Sequence, residues 1–503
     1  MNVDQARTRL VLAGAALMAA ALLAGCGNSY RSVITPIQTP GPAPQPTSYA
    51  AVVSASSPSA PGVATVIDYA GDTVMALAPI GPGPLSFTMD QTGSTGYTVN
   101  SDGTLTNFPI NSTALQEKNV TYSTLASTAN PIGLFSPSSG LWAADLTGNN
   151  IDVFVSSPAT FNLAIPVAPV PIMVIGNSNY GQRNFAISQV ADSDGFDCNS
   201  APSAVTQTGL VTPIETGTHT TDAPIAVGLC PVYAVPSGDG RRLFVMNRGS
   251  DTVSVINTQD ATLDTCTPFQ NQAGQTVHCH PTLPLSTNAV TATGITPPNG
   301  TAGMSQTAGP VYAEYNNATG QLVVANYDGG TISIIDVSLD DYGNDSATFG
   351  ATYTVKVGNN PAAVTVLNDG SRAYTANQAD GTVSIVNMSS HTVEKTLSVV
   401  GNPRTVVSTQ NSTYGKVYVA SPNSEFLTVI TTTSDTVDTT ILVEGNIMDV
   451  RTSTQNGNSG NSNNVSRRPG YGQPCYLPPS LEPAPTGSQT LLNVCQTMPL
   501  PTH

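Results

Sequence analysis

The chain has 503 residues, 39% of them apolar and only 10% charged, with 44 Gly, 39 Pro and a formal net charge of −16. Ser, Thr, Asn and Gln supply most of the polarity, a mixture that describes a folded β-rich chain, because a disordered chain of this length would carry more charge and fewer β-branched residues. Sixteen basic residues against 32 acidic ones argue against a nucleic-acid partner, whose phosphates require clustered Lys and Arg.

Residues 1–25 read as a processing signal. Arg7 and Arg9 give it a positive start, and Leu10 to Leu23 is an unbroken small and apolar run. That run is too short to cross a bilayer, which takes about 20 residues. The sequence Leu23-Ala24-Gly25-Cys26 resembles the lipobox of bacterial lipoproteins, in which a small residue precedes the Cys that becomes the lipidated N-terminus. The resemblance implies lipidation of Cys26 and a chain that is anchored without spanning. Gly27 stands where an aspartate marks inner-membrane retention in enterobacterial lipoproteins, so the expected anchor is the outer membrane, on its periplasmic or surface face. Loss of Asp4, Arg7 and Arg9 with the signal takes the net charge from −16 to −17, and the body is not drawn to anionic lipid. Residues 26–48 carry Pro36, Pro40, Pro42, Pro44 and Pro46 and read as an extended tether.

From residue 49 to 453 one pattern recurs: a strand, a turn of small polar residues, then an alternating strand. Thr65-Val66-Ile67-Asp68 leads into Asp72 to Leu77, Tyr97-Thr98-Val99-Asn100 into Gly103 to Phe108, and Trp142-Ala143-Ala144-Asp145 into Asn150 to Val155. The weakest copy is Phe185-Ala186-Ile187-Ser188, where a Cys-containing insertion replaces the turn. Leu243 to Asn247 leads into Asp251 to Asn257, Leu322 to Asn326 into Gly330 to Asp336, Tyr374-Thr375-Ala376-Asn377 into Gly381 to Asn387, and Val417 to Ser421 into Phe426 to Ile430. Pro-led runs such as Pro231 to Val235, Pro361 to Val366 and Asn402-Pro403-Arg404-Thr405-Val406-Val407 predict an innermost strand for each copy, and Thr392 to Leu397 and Thr436 to Ile441 predict outer ones. Four strands in a repeat of about 40–50 residues make one propeller blade. Asn446-Ile447-Met448-Asp449-Val450-Arg451 reads as one more innermost strand. The strands from Thr65 to Leu77 can receive it and close the ring, and Tyr49 to Ser54 competes for the same slot.

These repeats resemble the YVTN β-propeller family, whose strand ends in Tyr-Val-Thr-Asn and leads into Thr-Val-Ser-Val-Ile-Asp. The match covers most of residues 60–450 and is most specific in the copies at Leu243, Leu322 and Tyr374. The resemblance implies seven blades, whereas counting every copy gives eight. The expected fold is therefore all-β, a propeller of four-stranded blades, seven-bladed with eight left open. Residues 454–503 are an Asn/Ser/Gly-rich linker and a tail.

With Cys26 lipidated, six cysteines remain, an even number that reads as disulfides in an exported chain. Sequence proximity favours Cys198–Cys230, Cys266–Cys279 and Cys475–Cys495. His278-Cys279-His280 lacks the second ligand pair of a transition-metal site and reads as a loop holding a disulfide. The run Asp192-Ser193-Asp194-Gly195-Phe196-Asp197 departs from the order of a calcium loop and lacks its bidentate Glu. It reads as a solvated loop, as does the cluster Asp340, Asp341 and Asp345. The Asn and Asp residues at the strand ends (Asp68, Asn100, Asp145, Asn247, Asn326, Asn377) read as turn caps. Arg248 and Tyr327 replace small residues in those turns and are the candidate ligand-binding positions.

No nucleophile elbow, HExxH or phosphate-cradling glycine loop is present, and no cofactor or metal is expected. The sequence therefore points to an envelope-anchored, monomeric binding or scaffolding module for an envelope protein, glycan or small molecule. The alternative is an enzyme, since Gly96 to Phe108 resembles segments of lactonase-type propellers, which hydrolyse sugar lactones. That class would need acidic, His or Arg groups converging at one mouth of the channel. A structural subunit of an envelope complex would instead expose a large apolar patch.

Overall fold

In a computed structural model, the structure describes residues 48–453 apart from 58, 126–128, 138–139, 156–158, 177–182, 190–197, 199–203, 272 and 287–306. Eight antiparallel sheets form eight blades. Blade 1 consists, from the centre outward, of Asn446–Thr452, Tyr49–Ala55, Pro61–Asp68 and Val74–Pro82. The innermost strands of blades 2 to 8 are Pro84–Met89, Pro131–Phe135, Pro171–Gly176, Pro231–Pro236, Pro310–Asn316, Pro361–Val366 and Thr405–Ser408. Each of the eight packs against the innermost strands of its two neighbours, so the sheets close into a ring.

The weak copy is a complete blade, blade 4. Arg183–Ser188 pairs with Pro171–Gly176 on one side and with Thr208–Glu215 on the other, followed by Ile225–Leu229. The count of seven thus gives way to eight, because the long connection from Ser188 to Thr208 hides an ordinary blade. The two candidates for the closing slot do not compete either. Asn446–Thr452 pairs with Tyr49–Ala55, which pairs with Pro61–Asp68. The hairpin Pro61–Pro82 therefore supplies the third and fourth strands of blade 1, one position further out than the sequence pattern placed it.

Both faces of each blade are covered by neighbours. In Thr382–Asn387 the Val383 and Ile385 face and the Ser384 face are all buried, and the largest cluster of buried apolar residues runs continuously from Ile132 to Ile430. Outer strands such as Thr436–Leu442 are mostly exposed, as the edge of a stacked array must be.

The blades carry a shared irregularity. In six of them the innermost strand starts at a Pro paired with the last residue of the second strand, and the register then slips by one residue. Proline has no N–H to give to a ladder, so the first strand residue or a bulge is where it fits. The same slip occurs at Met448 in blade 1, where Asp449 pairs with Val53 and Ile447 with Ser54. In blade 8 the Pro-led residues precede the ladder, which begins at Thr405 opposite Ala420.

The opposite face carries ion pairs from one blade to the next. Arg242 of blade 5 reaches Asp345 of blade 6. Arg372 and Tyr374 of blade 7 hold Asp435 of blade 8, and Lys416 and Tyr418 of blade 8 hold Asp72 of blade 1. The last of these joins the two ends of the chain.

Closure by the C-terminal strand makes Ile447, fully buried, a test of the ring. Ile447→Ala should lower the unfolding free energy by about 2–5 kcal/mol in urea melts, well above the cost of the same change at the exposed Val437. Equal effects at the two sites would count against a ring sealed there.

Candidate functional site

One face of the ring carries the turns between second and third strands together with the starts of the innermost strands. Its repeated Asn residues form a structural lock. Asn247 donates through Nδ2 to Thr252 Oγ1 and Ser254 Oγ at 3.2 and 3.0 Å. Asn326 does so to Thr331 and Ser333 at 3.0 and 2.8 Å, and Asn377 to Thr382 and Ser384 at 3.1 and 2.9 Å. Asn100 makes the equivalent bonds to Thr104 and Thr106. These side chains bridge two strands and lie buried. The Cβ that any other residue would place at Gly81, Gly228 or Gly358 would collide with Asn100, Asn247 or Asn377, which is why glycine precedes them. Asp68 caps the backbone N–H groups of Ala70 and Gly71, but in the turn between the third and fourth strands.

In blade 3 the lock is acidic. Asp145 stands at the Asn position and Asp152, seven residues on, at the Ser position. Asp145 accepts the N–H groups of Asn130 and Thr147. Burial, with Asp145 nearby, pushes the Asp152 carboxyl up to about 6.

Arg248 and Tyr327 come together, the guanidinium carbon lying 5.7 Å from the ring centroid. Arg248 also forms a two-pronged pair with Asp328 of the next blade at 3.0 and 2.9 Å. The Tyr327 hydroxyl donates to Gln378 Oε1 of blade 7 at 3.3 Å, and burial holds its pKa well above the ordinary tyrosine value, with Arg248 opposing. Gln189, at the same turn position in blade 4, donates to Pro231 O at 3.0 Å, and Asn402 of blade 8 donates to Gln378 O at 2.9 Å. These residues are therefore struts between successive blades.

The insertion in blade 5 holds the second polar cluster. The disulfides Cys198–Cys230 and Cys266–Cys279 are both formed, whereas Cys26, Cys475, Cys495 and the run from Asp192 to Asp197 lie outside the described residues. His280 Nδ1 is 2.8 Å from Asp345 Oδ2. Asp345, expected in a solvated loop, is buried instead, because Arg242 reaches across the blade junction to hold it at 3.2 Å and Asp264 at 3.3 Å. Burial raises the Asp264 pKa, Arg242 opposes this, and Asp345 adds to it. Asp340 stays in a self-capped turn, accepting the N–H groups of Tyr342 and Asn344. Among the described residues, no group of three or more His, Cys, Asp and Glu is placed to hold a metal ion.

A third arrangement escaped the sequence pattern. Where blades 8, 1 and 2 meet, a cleft of about 240 Å³, measured to its open mouth, is lined by Leu85, Ser86, Phe87, Arg404, Met448 and Asp449. It has room for roughly one water molecule. Arg404 Nη2 donates to Met448 O at 2.8 Å, the carbonyl at the bulge. Burial brings the Arg404 pKa down to about 10, against the pull of Asp449, which leaves the guanidinium charged at neutral pH. Asp449 Oδ2 accepts from Arg451 Nε and Nη2 at 3.2 and 3.1 Å, and Arg451 lies 5.7 Å from the Phe87 ring. Ser86 Oγ is buried and has no hydrogen-bond partner.

The signal that marks this cleft is positional. The bulge residue of the innermost strand is Leu85, Ile132, Ile172, Val232, Val311 and Ala362 in blades 2 to 7 and Met448 in blade 1, whereas the residue at the equivalent place in blade 8, just before the ladder, is Arg404. The next residue is Gly133, Met173, Tyr233, Tyr312 and Ala363 in blades 3 to 7, but Thr405, Asp449 and Ser86 in blades 8, 1 and 2. At these two positions charged side chains occur only at the seam.

No protein-family model matches the chain, and no curated protein matches it. Among solved structures it is similar to apo AztD from Citrobacter koseri, with 13% identity over 80% of this chain and 97% of that chain and a TM-score of 0.50. A second structure of Citrobacter koseri AztD gives 10% identity over 80% and 97%, with a TM-score of 0.51. The dihydro-heme d1 dehydrogenase NirN in complex with DHE gives 13% identity over 80% of this chain and 74% of that chain, with a TM-score of 0.52. At such identities the likeness shows the β-propeller fold and nothing finer.

The acidic lock of blade 3 gives a pH signature. A carboxyl raised from 3.8 to about 6 on folding contributes stability that is complete below its unfolded pKa and is lost as pH rises through the folded one. Asp152→Asn should therefore flatten the fall in stability between pH 4 and pH 7 by up to about 3 kcal/mol, read from urea midpoints at both pH values. An unchanged pH slope would contradict the assignment.

Proposed function

We propose that this chain is an exported, lipid-anchored propeller of the YVTN-repeat type that works as a binding or scaffolding module in the bacterial cell envelope. The observation that supports the binding role is the cleft where blades 8, 1 and 2 meet, which brings Arg404, Asp449 and Ser86 together. The lipobox-like Leu23-Ala24-Gly25-Cys26 supports the anchor. Two formed disulfides support an oxidising compartment, and no helix of the described residues is long and apolar enough to cross a membrane.

The lactone-hydrolase alternative takes some support from the same convergence of Arg and Asp. Size and pairing weigh against it. Small-molecule pockets run to about 300–1,000 Å³, while this cleft, even measured to its open mouth, is about 240 Å³. Asp449, the one carboxylate lining it, is committed to Arg451 and the Val450 N–H, which makes it a poor base. The geometry suits a site that grips the tip of a ligand whose body stays outside.

Metabolic labelling with a fatty acid should mark the wild-type chain and leave Cys26→Ser unmarked and free of the membrane fraction. Equilibrium dialysis of the Cys26→Ser chain against envelope glycan fragments and small metabolites should retain a ligand, and a panel of sugar lactones should pass unhydrolysed. Lactone turnover that is lost in Asp449→Asn would overturn the binding reading in favour of the enzyme, and labelling that persists in Cys26→Ser would overturn the anchor.

A further inference from the structure

Blade 3 keeps the register of the lock and loses its donor. Asn150 stands opposite Asp145, as Thr252 stands opposite Asn247, Thr331 opposite Asn326 and Thr382 opposite Asn377. Asp152 lies two residues beyond Asn150 and therefore on the same face of the sheet. In the three regular blades the side chains at the matching positions meet at 2.8–3.2 Å. There an amide nitrogen bridges two hydroxyl oxygens. In blade 3 carboxylates replace both the amide and the second hydroxyl.

The second feature is the lack of any partner for these oxygens within the blade. Asp152 is 6% exposed, and among the described residues it accepts no hydrogen bond. The one charge that acts on it is Asp145, of the same sign. Asn150 Oδ1 is likewise buried without a partner. Asp145 gives Oδ1 to the N–H groups of Asn130 and Thr147. Its Oδ2 lies under the turn, where a side chain at Gly148 would collide with it and with Asn150. Oxygens thus converge where two like charges are buried together, an arrangement that a proton or a cation relieves.

We propose that blade 3 binds a calcium ion through Asp145 Oδ2, the Asp152 carboxylate and Asn150 Oδ1, the cation standing where the regular blades have an amide donor. Calcium takes about six to eight oxygens in a flexible geometry and accepts carboxylates, amide carbonyls and water alike. Two adjacent strands supply part of that shell, and the exposed turn at Thr147 to Asn149 leaves room for water to complete it. An incomplete protein shell suits weak binding, on the order of 0.1–1 mM, as in extracellular calcium modules. The site is independent of the cleft and of the binding-module reading, because what it governs is the stability of blade 3.

The test is thermal melting of the full chain at pH 7 in calcium chloride, against sodium chloride of equal ionic strength. Calcium should raise the melting temperature saturably, with a midpoint of about 0.1–1 mM. The apparent affinity should fall about tenfold at pH 5, where protons compete for a carboxyl raised to about 6. Asp152→Ser restores the hydroxyl of the regular blades and should abolish the response to calcium. Terbium gives a reading that does not depend on that variant. It replaces calcium at oxygen sites, and Trp142, the single Trp of the chain, shares a strand with Asp145 and should sensitise its emission until calcium displaces it. No saturable rise with calcium, a rise that Asp152→Ser retains, or terbium emission that calcium leaves unchanged overturns the site.

Discussion

The closing of the ring governs everything else in this molecule. Eight sheets stacked around an axis leave two raw edges unless one blade is built from both ends of the chain, and an unpaired innermost strand would present a row of open backbone groups. The pairing of Asn446–Thr452 with Tyr49–Ala55 removes both edges at once. It also makes blade 1 unlike its neighbours. Its innermost strand comes last of the described strands and starts at Asn446 rather than at a proline. The ion pair from Lys416 to Asp72 ties the junction on the outer side.

The regular copies are held by a device that leaves little room for function. An Asn at the end of the second strand reaches two hydroxyls on the third, and the next residue braces the following blade. Arg248, Tyr327 and Gln378 all have side-chain or backbone bonds to neighbouring blades. Such positions fix the spacing of the blades and in doing so spend their polar groups. At the seam Arg404, Asp449 and Ser86 stand where the other blades carry uncharged residues, and Arg404 and Asp449 bond within the seam itself.

Much of the fold could be read from the sequence, for a physical reason. Strand alternation, Pro-led innermost strands and the Asn-turn-Thr-Val-Ser signature each reflect a local constraint, so they recur wherever the blade is regular. They fail where the constraint is met in another way. Blade 4 has Ser188 in place of Asn and a long connection with Cys198, so it carries the signature in its least regular form. Blade 1 has Ser54 at that place, its hydroxyl bonded to Glu444 O, so its nearest Asn-or-Asp turn signature falls one hairpin further out, at Asp68. The two disulfides within the described residues followed from proximity. The burial of Asp345 did not, because its partners Arg242 and His280 are separated from it by 103 and 65 residues. The seam was equally hidden, since Arg404, Asp449 and Ser86 become neighbours only through closure.

Structural duty thus falls on what repeats, and the ring stands or falls with the strand that closes it. Hydrogen exchange of backbone amides tests that closure most directly. The paired amides of Asn446–Thr452 and Tyr49–Ala55 should be as strongly protected as those of the regular blade at Pro361–Val366. Fast exchange along Asn446–Thr452, as at an unpaired sheet edge, with Pro361–Val366 still protected, would contradict a ring sealed by the two ends of the chain.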